Sequence, residues 1–199
     1  LSGADPALLA GWLDDASAAL RASGVDVEAI ASVEPFASWR RAYKLGGFSP
    51  SKTRASVEAL ARRVLKGGSV ETGLWPVDAY NAASLATLAP LGAYDRALLP
   101  GPEIALRLAR PASDRFAPHG GESDDFPLRE GQMVYGCGDV VLCYGFNHRD
   151  SRETAVSAAT RRAIFCGEAV NADQRGRLMA ALETLSRRLA EAGAVCAPL

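Results

Sequence analysis

The side chains with the most chemical promise fall between residues 119 and 152. His119 stands in Phe116-Ala-Pro-His-Gly-Gly-Glu, a turn histidine beside two glycines. An imidazole changes charge near neutrality, so it suits placing a water or gripping a hydroxyl. The competing reading is an exposed loop histidine. Glu122 follows at the head of Glu122-Ser-Asp-Asp. A carboxylate in an apolar pocket rewards a polar partner and is left unpaired by an apolar one; alternatively, Glu122 opens a solvated acidic loop. Asn147-His-Arg-Asp-Ser-Arg then offers an amide, His148 and two guanidinium groups, Arg149 and Arg152. Such groups grip phosphate or carboxylate.

Other chemistries find no motif. There is no G-x-S-x-G elbow and no glycine-rich phosphate loop after a strand. Cys137, Cys143, Cys166 and Cys196 form no C-x-x-C pair, and His119 and His148 are not at ligand spacing. Neither a metal site nor a cofactor is therefore expected, and reduced thiols in the cytoplasm are the simplest reading. No apolar run approaches the roughly 18–20 residues that span a bilayer. Asp5, Asp14 and Asp15 mark the N-terminal stretch, which has no basic region and does not read as a signal peptide. With 48% hydrophobic and 23% charged residues, the composition is that of a globular chain.

The net charge of −1 hides an asymmetry. Residues 1–34 are acidic. Residues 35–67 carry Arg40, Arg41, Lys44, Lys52, Arg54, Arg62, Arg63 and Lys66 against Glu58 alone. That stretch could meet phosphates or form a solvated helix face.

The elements that must position these groups are legible as periodicities. Leu8, Leu9, Trp12, Leu13, Ala16 and Leu20 predict a helix over 5–22, and Trp39 and Tyr43 sit in a second over 35–44. Ser56 is expected to cap a third, which Gly67 and Gly68 stop. A fourth is expected over Asn81–Thr87, with Asp78 capping it or sharing a face with Asn81, whose amide could meet a ligand. Asp95 is expected to fix a turn and Tyr94 to pack in the core. After Gly92 the pattern turns to strands: Ile104–Ala109, a hairpin of Gln132–Tyr135 with Val140–Tyr144, and Arg161–Cys166. Leu178, Leu182, Leu185 and Leu189 mark a closing helix over 172–192. Helices, a β-rich middle and a last helix make an α+β fold.

Three blocks carry a resemblance. They are Ser49-Pro-Ser-Lys-Thr-Arg-Ala-Ser through Gly68; Pro76-Val-Asp-Ala-Tyr-Asn-Ala-Ala-Ser-Leu with Gly92-Ala-Tyr-Asp; and Gly131-Gln-Met-Val-Tyr through Asn147-His-Arg-Asp-Ser-Arg to Thr160-Arg-Arg-Ala. In order and spacing they resemble the B3/B4 editing domain of the phenylalanyl-tRNA synthetase beta subunit, and more closely its free-standing bacterial form. Cys143, Asn147, Arg149 and Ser151 fit the motif of solo members, whereas Tyr144, Phe146, His148 and Asp150 occupy variant positions. The synthetase site uses a histidine near the Val77-Asp block, and none stands upstream of it here.

The resemblance implies a β-sandwich-like core with flanking helices, formed by residues 35–199 as one domain after a helical extension at 1–34. It implies a trans-acting aminoacyl-tRNA deacylase. Glu122 would read the acyl side chain, and His119, Asn147 or His148 would place water or ribose. Asn81, Tyr94 and Arg149 would contact substrate, and Arg40, Arg41, Lys52, Arg54, Arg62 and Arg63 would meet the tRNA. Aminoacylated tRNA is the expected partner, with no membrane and no obligate protein partner. The alternatives are a non-catalytic RNA-binding module, or a protein that binds a free amino acid or metabolite in the same pocket.

Overall fold

The computed structural model describes residues 1, 3–120 and 126–198. Its helices are α1 (Trp12–Ala22), α2 (Phe36–Leu45), α3 (Ser56–Leu65), α4 (Trp75–Thr87) and α5 (Ala172–Glu191). Its strands are β1 (Leu91–Asp95), β2 (Ala105–Leu108), β3 (Met133–Cys137), β4 (Val140–Tyr144), β5 (Arg149–Asp150) and β6 (Ala163–Gly167). Among the described residues these strands pair antiparallel, and the fold is α+β.

Several expected boundaries move for physical reasons. The helix expected over 5–22 is split: Pro6–Leu9 forms a 3-10 turn, and Gly11, at φ +78°, reorients the chain before Trp12. α4 starts at Trp75, well before Asn81, with Pro76 in its first turn. Asp78 Oδ1 accepts the Thr72 backbone N–H and hydroxyl, tying the approach to the helix. Ser56 is the first residue of α3, not its cap; Ala55 holds the cap position with no side-chain bond. Gly92-Ala-Tyr-Asp lies within strand β1.

α4 is the hub. Pro76, Ala79, Asn81, Ala82, Ala83, Ser84 and Leu85 are all buried, so it is covered on most sides. It packs against α1, α3, α5 and β1. The four-stranded sheet runs β2-β3-β4-β5, and β1 pairs with β6 in a second sheet. The two sheets meet over a cluster that includes Tyr94, Leu142 and Cys143, with Ile164 and Cys166 against it. Edge-to-face aromatic contacts join Trp39, Tyr43, Phe48 and Phe146, linking α2 to the end of the large sheet.

Candidate functional site

The β4–β5 connection sets the site. Gly145 sits at φ +65°, and a Cβ there would come within 3.1 Å of Thr53 Cγ2. Phe146 follows at φ 58°. The chain turns sharply, and the next two side chains take different partners. His148 goes to the loop before α3: its Nδ1 lies 2.9 Å from the Arg54 carbonyl, and its ring packs near Tyr144. Burial lowers its basicity.

Asn147 bridges the start of α3 to a residue beyond β6. Its Oδ1 accepts the Ser56 backbone N–H at 3.1 Å, and the Tyr43 hydroxyl lies 3.2 Å from it. Its Nδ2 donates to Glu168 Oε2 at 2.9 Å. Glu168, just beyond β6, thus lies at the centre of a polar cluster. Burial pushes its carboxyl up to about 7, and the nearby Asp150 carboxylate adds to that; the Asn147 amide and the Tyr135 hydroxyl pull in the opposite direction.

Asp150 is the second acid. It is the cross-strand partner of Cys143, and burial raises its pKa against the opposing pull of the Cys143 thiol and of His119. Tyr94 of β1 and Cys166 of β6 lie near both acids and Tyr80 of α4 lies near Asp150, and burial raises all three. Glu168, Asp150, Tyr80, Tyr135 and Cys166 are deeply surrounded by protein, yet each keeps some accessible surface. Partial access to these buried polar groups makes the cluster the candidate recess. Carboxyls, phenols and thiols in one recess can read a hydroxyl or amine and hold a water.

The expected residues distribute around this recess unevenly. His119 is exposed next to Asp150, whose carbonyl accepts its backbone N–H at 2.8 Å. Asn147 and His119 therefore border the same pair of acids, while His148 faces Arg54. Glu122 lies outside the described residues. Tyr94 is buried between the sheets, and Asn81 is buried in α4 beside Tyr80. Asp95 Oδ1 accepts the Ala97 N–H and its Oδ2 the Thr160 hydroxyl, so it does fix its turn. Arg149 is exposed on β5.

The basic stretch is partly turned inward. Arg40 and Arg62 both grip Glu58, whose side chain is fully buried, at 2.6 and 2.8 Å. Arg41 pairs with Glu34, and an Arg54 nitrogen donates to the Ser51 carbonyl. Lys52 and Arg63 stay exposed, as do Lys44 and Lys66.

Glu168, Asp150, Tyr80 and Tyr135 were not singled out in sequence as site residues. One signal was available for Glu168: an acid directly after the apolar strand Ala163–Gly167.

A family model for the B3/4 domain matches residues 38–193, most of the chain. The chain belongs to the B3/4 family. The B3/4 domain is found in phenylalanyl-tRNA synthetase beta subunits. No curated protein matches the chain. The match spans α2 through α5, so every recess residue lies within the B3/4 region.

Proposed function

We propose that this B3/4 protein is a trans-acting deacylase that hydrolyses the ester of a mischarged aminoacyl-tRNA. The observation that carries the reading is the Glu168 carboxyl, held by Asn147 Nδ2 at 2.9 Å and raised by burial to about 7, inside a recess with Tyr94 and Tyr135 beside it. The acyl side chain enters the recess, and Glu168 takes the reading role expected of Glu122. It pairs with a hydroxyl and is left unpaired by an apolar side chain.

The ester itself needs no covalent nucleophile. A water held near His119 and Asp150 attacks the acyl carbon, and the bond from that carbon to the ribose oxygen breaks. The ribose oxygen leaves as a hydroxyl with a proton from the water, releasing free amino acid and intact tRNA. Positioning accounts for most of the gain in such a step. Exposed Lys44, Lys52, Arg63 and Lys66 are available to the phosphates.

The inward pairing of Arg40 and Arg62 favours a second reading, a free amino acid in the same recess. Purified protein is assayed for amino-acid release from a panel of mischarged tRNAs. Release from at least one, with a changed preference in Glu168→Ala, supports the deacylase. No release above buffer, with a thermal shift on adding a free amino acid, supports the second reading.

A further inference from the structure

The Asn147 side chain joins the start of α3 to the recess behind β6. We infer that Asn147 is a positioning residue for the recess carboxyl, locked by the α3 N-terminus so that it presents only N–H to Glu168. This rests on the reading of Glu168 as the group that meets substrate.

The lock follows from hydrogen-bond chemistry. A backbone N–H only donates, so the atom of Asn147 that faces Ser56 at 3.1 Å is its oxygen. The Tyr43 hydroxyl, which donates to the Gly145 carbonyl at 2.6 Å, stands against the same oxygen. The amide nitrogen must then face Glu168 Oε2, at 2.9 Å. A free asparagine could turn its carbonyl toward a protonated carboxyl and serve either form. A locked one offers only a donor, and so favours the carboxylate.

The same bond answers a need of the helix. Ala55 makes no side-chain cap bond, and the Ser56 hydroxyl is buried without a partner among the described residues. Asn147 supplies from a distant loop the acceptor that a local cap would have given. His148 holds Arg54 two residues earlier, so consecutive side chains fasten the basic loop to the recess. The other groups near Glu168 are Asp150, Tyr135, Tyr94, Cys143, Cys166 and Tyr43. Among them Asp150 opposes ionisation and Tyr135 supports it.

The test is a carbon-13 carboxyl titration of the full chain by NMR, with the Glu168 signal assigned by its loss in Glu168→Gln. It needs no substrate, so it separates failure of this inference from failure of the deacylase reading. In Asn147→Ala the Glu168 midpoint should rise by about one unit, the worth of one hydrogen bond to a charged group. Should that variant not fold, Ser56→Pro removes the locking N–H at a helix position that accepts proline, and its ring displaces the Asn147 oxygen 3.1 Å from that nitrogen, so a rise in the same direction is expected. A midpoint that stays put in folded Asn147→Ala, or in Ser56→Pro if the first does not fold, overturns the inference.

Discussion

Glu168 is where the chemistry of single residues has the largest consequence. Its carboxyl is raised to about 7 in the folded protein, from an ordinary value of 4.5 in the unfolded chain. The folded state therefore holds the proton more tightly. Below the unfolded value both states are protonated and Glu168 costs nothing. As pH rises from 4.5 to 7 the unfolded chain ionises first, and stability falls until the folded carboxyl has ionised too. Glu168→Gln removes this penalty. Urea unfolding should show the variant more stable than the parent at pH 8 by on the order of 2 kcal/mol, with the difference gone by about pH 4. Equal stability at pH 8 would mean that burial of this carboxyl is not felt. Sequence alone missed Glu168 because its neighbours Tyr94 and Tyr135 come from β1 and β3, each remote in the chain. Asn147 stood out as an amide in a run of polar and cationic side chains, but its bonds to Ser56 and Glu168 did not.

At the scale of elements, α2 and α3 are joined by a buried ion triad. Glu58 is fully covered, while Arg40 and Arg62 keep about a fifth of their side-chain surface exposed. Their guanidinium groups hold the Glu58 carboxyl below its ordinary value against the cost of burial. Its contribution is thus present above the ordinary carboxylate range and is lost as pH falls through the folded value. Glu58→Ala leaves two cations facing each other without their partner. Chemical denaturation near pH 7 should show a loss of about 3–5 kcal/mol; a loss under about 1 kcal/mol would place the triad with ordinary surface pairs. The charge run that suggests a phosphate-binding face is therefore partly internal structure. Sequence cannot separate the two, because an arginine reads the same whether its partner is a phosphate or a glutamate eighteen residues away. The closing helix α5 and the β3–β4 hairpin were readable, since one has an apolar stripe and the other a glycine turn. The start of α4 was hidden behind Thr72 and Asp78, whose bonds to each other no periodicity reveals.

For the whole molecule, the B3/4 assignment could be read from the order of three sequence blocks, and the α+β architecture from the succession of helical and strand periodicities. The recess could not, because it forms only where the two sheets and α4 meet. It draws Tyr80, Tyr94, Tyr135, Asp150 and Glu168 from five separate elements or their ends. The central claim is that this recess selects an acyl side chain by its hydroxyl. The most direct test measures release of amino acid from two tRNAs whose acyl groups differ by one hydroxyl, using the parent protein and Glu168→Ala. The parent should favour the hydroxylated group by at least tenfold, about 1.4 kcal/mol in the barrier, and Glu168→Ala should bring the two rates together. An unchanged preference in Glu168→Ala would contradict the account.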